Sequence, residues 1–75
     1  MSEQQYAVVL VYSTSYALKA EKVLQGAGVV CKLIPVPRQL SSDCGVCVRV
    51  KQEDSKLVLD LLADSQVQIE GIRAA

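Results

Sequence analysis

The segment Tyr6-Ala7-Val8-Val9-Leu10-Val11-Tyr12 limits the fold more than any other stretch of the chain. It is short, continuously apolar and rich in β-branched and aromatic residues, a pattern that fits a strand buried on both faces better than a fragment of helix. Such a strand belongs at the centre of a sheet. The chain is 75 residues long, which leaves room for one domain spanning 1–75. A domain of this size buries only about 60% of the surface its unfolded form exposes. Any site must therefore sit on a thin core or between chains. The hydrophobic share of 51%, with three Tyr and no Phe or Trp, suits a compact sheet-and-helix domain and argues against disorder.

Hydroxyl residues Ser13, Thr14 and Ser15 follow the first strand and precede a helical face made of Ala17, Leu18, Ala20, Val23, Leu24 and Ala27. Gly26 and Gly28 bracket its end. A second strand is predicted over 29–34, with Lys32 outward and Val29, Cys31 and Leu33 inward, stopped by Pro35 and Pro37. Residues 35–44 read as a loop, from two prolines and the Ser41-Ser42-Asp43 cluster. Val46, Val48 and Val50 then alternate with Cys47, Arg49 and Lys51, giving a strand with one buried face. Asp54 or Ser55 caps a second helix that buries Leu57, Val58, Leu61 and Leu62, and a last strand runs over 67–70. The order β-α-β-β-α-β is the split βαβ, an α+β ferredoxin-like sandwich with a four-stranded antiparallel sheet covered by two helices on one face. The other face is expected to stay open, and so to be a possible homodimer surface.

Eight basic and eight acidic residues cancel, without a basic stripe or aromatics interleaved among positive residues, so nucleic acid is not expected as a partner. The polar start of the chain and the shortness of the apolar run predict neither a signal peptide nor a membrane span. Three cysteines cannot all pair within one chain, and reduced thiols in the cytoplasm fit that count.

The topology makes the long loop the place to look for chemistry. If the first strand runs up the sheet, the first helix starts at the top, the second strand ends there, and the loop begins and ends there. Ser13, Thr14 and Ser15 at the helix start, Arg38, Ser41 and Ser42 in the loop, and Cys44 with Gly45 at its end then share one edge. A helix N-terminus carries roughly half a positive charge, and Arg38 adds a full one, so a thiol at Cys44 is expected to ionise below its usual value of about 8.5. Gly45 lets a substrate approach the backbone closely. Cys31, on an apolar strand face, reads as a small buried hydrophobe.

Cys44-Gly45-Val46-Cys47 has the spacing of thiol–disulfide enzymes and of half a zinc site, yet it runs into a strand rather than a helix. Residues three apart in a strand lie about 10 Å apart, beyond the roughly 7 Å that a disulfide spans. A 44–47 bridge thus requires the strand to start no earlier than Val46. Zinc needs four ligands, and with no His in the chain only a dimer joining two such motifs supplies them. The missing His also excludes Ser-His-Asp and Cys-His catalysis.

The apolar first strand, Ser13-Thr14, Ala17-Leu18, Ala20-Glu21-Lys22, Leu33-Ile34-Pro35-Val36-Pro37-Arg38 and Ser42-Asp43-Cys44-Gly45 together resemble the small Se/S carrier protein-like domains. Pro-x-Pro-Arg followed by Cys-Gly is the specific part. The resemblance implies selenium or sulfur carried on Cys44 with Arg38 nearby, a cysteine desulfurase-like donor, an acceptor enzyme, and no cofactor beyond the covalently carried atom. It implies a carrier or accessory transfer protein more than an enzyme. Ser15 stands where members often have a histidine, so no histidine role carries over. Cys47 lies beyond the Cys-Gly core and could resolve a persulfide on Cys44 into a disulfide. Two rival expectations stand beside the carrier: a thiol redox or metal module using Cys44 and Cys47, and a regulatory protein-interaction domain with incidental cysteines.

Overall fold

A computed structural model of the chain describes residues 5–40 and 45–74. Its elements are β1 (Tyr6–Val11), α1 (Thr14–Gly26), β2 (Cys31–Pro35), β3 (Val46–Lys51), a 3-10 turn (Gln52–Asp54), α2 (Ser55–Asp64) and β4 (Ile69–Ala74). One four-stranded sheet has the order β2-β3-β1-β4, and every neighbouring pair is antiparallel. This is the ferredoxin-like α+β arrangement read from the sequence, with β1 interior and buried along nearly its whole length.

Strand alternation sorts the side chains into two layers. Ala7, Val9 and Val11 of β1 and Val48 and Val50 of β3 face the helices, where they meet Ala17, Ala20 and Leu24 of α1 and Val58 and Leu62 of α2. Leu24 and Leu62 are among the largest fully buried side chains. Each contributes about 1.5–3 kcal/mol by leaving water. Leu18 and Leu57, expected in the core, are 52% and 50% exposed. Each helical residue turns about 100° from the last, and the stripes centred on Ala17-Ala20-Leu24 and Val58-Leu62 leave these two leucines on the flanks. Ala27 is likewise exposed.

Both helices stop in the same way. Val29 N–H donates to the Leu24 carbonyl and Gly28 N–H to that of Gln25; at the second helix Val67 N–H donates to Leu62 and Gln66 N–H to Ala63. This is the Schellman pattern, and it requires a left-handed residue, here Gly28 (φ 80°) and Gln66 (φ 59°). The stop tucks Val29 and Val67 into the core and delays β2 to Cys31 and β4 to Ile69.

Other boundaries differ from expectation for local reasons. No side chain caps α2 at Asp54, and the Ser55 hydroxyl donates instead to the Gln52 carbonyl at 2.7 Å. β4 runs on to Ala74, past a register shift opposite Leu10 and Val11 that breaks its period of two.

The sheet face away from the helices is only half open. Val8, Leu10 and Cys47 are fully or almost fully buried there, with Ile34, Val36 and Leu40 packed against them. The chain after β2 thus folds back over one half of that face and leaves the other half to charged residues.

Candidate functional site

The start of α1 is built as the sequence dictates. Ser13 is the N-cap, extended at φ −154° and ψ 162°, and its Oγ accepts from the Tyr16 N–H at 3.3 Å. Its oxygen therefore completes the helix end. Thr14 and Ser15 follow in the first turn and are exposed.

Strand register sets which ends lie together. Pro35 pairs with Val46, Leu10 with Cys47 and Val11 with Ile69, so the end of β2, the start of β3 and the end of β1 with its exit into α1 share one edge of the sheet. These strand and helix ends converge where the topology puts them. Pro35 fits because β2 is an edge strand, where the missing N–H breaks no ladder to a further neighbour.

The excursion between β2 and β3 is closed by Val36 N–H donating to the Gly45 carbonyl at 3.1 Å. Inside it, Leu40 N–H donates to the Pro37 carbonyl at 3.0 Å, a turn that carries Arg38 and Gln39 exposed between its ends. Val36 and Leu40 anchor this turn on the sheet. Ser41, Ser42 and Cys44, all nominated by the sequence, lie outside the described residues. Gly45 is exposed in the bend before β3, and a methyl group added there meets no atom of the described residues within 4 Å.

The described cysteines occupy different surroundings. Cys47 is fully buried on the outer sheet face, its thiol donating to the Pro35 carbonyl at 4.0 Å. Alternation assigned it to solvent with Arg49 and Lys51, but the cover of Ile34, Val36 and Leu40 removes it from water. β3 starts at Val46, the start that a 44–47 bridge requires. Cys31 is unbridged and half-buried against the inner core, with its thiol donating to the Glu21 carbonyl at 3.8 Å. Burial first, and then the charge of Glu21, push its pKa above the ordinary thiol value. The shift lowers the share of Cys31 present as the reactive thiolate at a given pH.

Sequence reasoning missed the cover over Cys47, whose one signal was two aliphatic residues, Val36 and Leu40, inside an otherwise loop-like stretch. Arg49 is half-buried, with its guanidinium carbon 4.2 Å from the centre of the Tyr6 ring. Among the described residues no group of three His, Cys, Asp or Glu is placed to hold a metal ion, and no helix is long and apolar enough to cross a membrane.

Against known proteins, the family model described as "Putative Se/S carrier protein-like" matches residues 6–73. No curated protein and no solved structure matches the chain.

Proposed function

The chain belongs to the Se/S carrier protein-like family, and from that premise we propose that it carries sulfur or selenium on the thiol of Cys44. The Cys44 thiolate attacks the terminal sulfur of a donor persulfide. A new S–S bond forms at Cys44, the donor's own S–S bond breaks, and the donor leaves as a thiolate with the electron pair. The cargo is then a perthiol that ionises readily, and an acceptor enzyme takes its outer atom by the same exchange. A cysteine desulfurase-like donor supplies the zero-valent atom, and a reducing cytoplasm keeps the carrier thiol available.

The family match from the first residue of β1 to Arg73 carries this reading. Three features of the fold support it. Arg38 stands exposed on the turn that leads toward the Cys44 segment, which sets a full positive charge there to favour an anion. No described atom outside its chain neighbours lies within 4 Å of a Cβ at Gly45, so close approach of a partner there is compatible with the described surroundings. Cys47 is buried and Cys31 has a raised pKa, so neither competes well for an incoming electrophile.

Incubation with a cysteine desulfurase and either cysteine or selenocysteine, followed by non-reducing mass spectrometry, tests the reading. One sulfur or selenium should appear on the peptide containing Cys44, be removed by dithiothreitol and be absent from Cys44→Ser. An unmodified Cys44 peptide after complete turnover of the desulfurase would overturn it.

A further inference from the structure

The formal charge of zero hides a segregation by layer. The strands carry Lys32, Arg49, Lys51 and Arg73 against Glu70 alone, while α1, the 3-10 turn and α2 carry Glu21, Glu53, Asp54, Asp60 and Asp64 against Lys19, Lys22 and Lys56. Strand alternation puts all four strand cations on the outer face, because Cys31, Leu33, Val48, Val50 and Ile72 pack inward. Register then aligns Lys32, Arg49, Val8 and Arg73 in one row across the whole sheet.

This row is arranged at some cost. Lys32 and Arg49 are directly opposite one another, and like charges in that relation are destabilising. Arg73 lies back over Gly71, with its Nη1 donating to the Ile72 carbonyl at 3.0 Å. A Cβ at Gly71 would come within 2.6 Å of that same nitrogen, so the glycine makes the arrangement possible. Below the row, Tyr6, Val30, Cys31, Lys32, Arg49, Val50 and Lys51 line a shallow cleft of about 70 Å³, with no acidic side chain among these described residues. Above it, Ile34, Val36 and Leu40 form an aliphatic patch. The face therefore joins a band of positive charge to a small apolar area.

We propose that this outer face docks an acidic segment of a partner protein, with carboxylates over Lys32, Arg49 and Arg73 and an aliphatic side chain on the Ile34–Leu40 patch. Charge complementarity selects this occupant. A second copy seated face to face would set the same cations against each other, since a two-fold interface is self-facing. Single-stranded nucleic acid stacks its bases on aromatic rings. Among the described residues the strands of this face offer only Tyr6, and Arg49 already lies over it. The surface stands independently of the thiol; on the carrier reading, the segment belongs to the donor or the acceptor.

The test uses the full chain as Cys44→Ser, so that docking is read without sulfur exchange and its failure stays separate from failure of loading. The probes are a fluorescein-labelled peptide of alternating Glu and Leu, a Lys and Leu peptide of the same length, and an oligouridine. Anisotropy should show the acidic peptide binding and weakening with salt, and amide shifts should move at Lys32, Arg49, Lys51 and Arg73. Lys32→Glu/Arg49→Glu should weaken binding on the order of tenfold, whereas Lys19→Glu/Lys22→Glu on α1, with the same change in net charge, should leave it within about twofold. Lys32→Gln/Arg49→Gln serves if the double glutamate variant does not fold. Equal weakening by both pairs, shifts on the helices, tighter binding of oligouridine, or self-association through the same amides would each overturn the proposal.

Discussion

At Cys47 two rules meet, and the less local one wins. Strand alternation sends this side chain to the outer face together with Arg49 and Lys51, and it does point there. It is buried all the same, because Val36 and Leu40 return over it from beyond β2. Periodicity cannot report a cover that comes from an aperiodic segment. The Ser13 cap, by contrast, depends only on one hydroxyl before a helical face, and was legible for that reason. If Cys47 is a packing residue, Cys47→Ala should lower stability by about 1–2 kcal/mol, measured as a shift in urea midpoint at constant slope, by loss of contacts in the cluster with Val8 and Leu10. The same variant should load Cys44 as the parent does.

Among the elements, the paired helix endings show what a sequence can and cannot announce. Gly28 marks its ending, because glycine enters the left-handed region without a Cβ penalty. Gln66 occupies the equivalent place after α2 and gives no such sign. The hydrogen bonds from Gln66 and Val67 back to Ala63 and Leu62 impose the conformation on it. Gln66→Gly should therefore stabilise the protein by about 0.5–1 kcal/mol, read by urea denaturation; a destabilisation would mean that glycine's greater freedom in the unfolded chain outweighs the relieved strain. β4 was harder to read for a related reason. Gly71 and the register shift beside Leu10 interrupt alternation, so the strand looked finished at Glu70 although it continues to Ala74. β1 and β3, whose patterns are uninterrupted, were located to within a residue.

Across the whole molecule, the order of elements is legible because each has its own pattern, a continuous apolar run for β1 and a characteristic period for the others, and the order fixes the ferredoxin-like topology. The segregation of charge is not, since a net charge of zero is a sum along the chain and only register shows which side chains share a face. The fold also places its described cysteines unequally: Cys47 is shut into an aliphatic cluster, and burial with the charge of Glu21 raises the pKa of Cys31. Because folding raises the Cys31 pKa, the stability tied to its neutral thiol is complete below the unfolded thiol's pKa and is lost as pH rises through the raised value. On the carrier reading proposed above, Cys44 is the thiol left for exchange. Iodoacetamide alkylation of the native protein, followed by peptide mass spectrometry across a pH series, reads all three cysteines at once. The account predicts that Cys44 reacts fastest, with a midpoint below that of a free thiol, that Cys31 reacts only at more alkaline pH, and that Cys47 reacts only on unfolding. Modification of Cys44 no faster than Cys31, or with the midpoint of a free thiol, would contradict it.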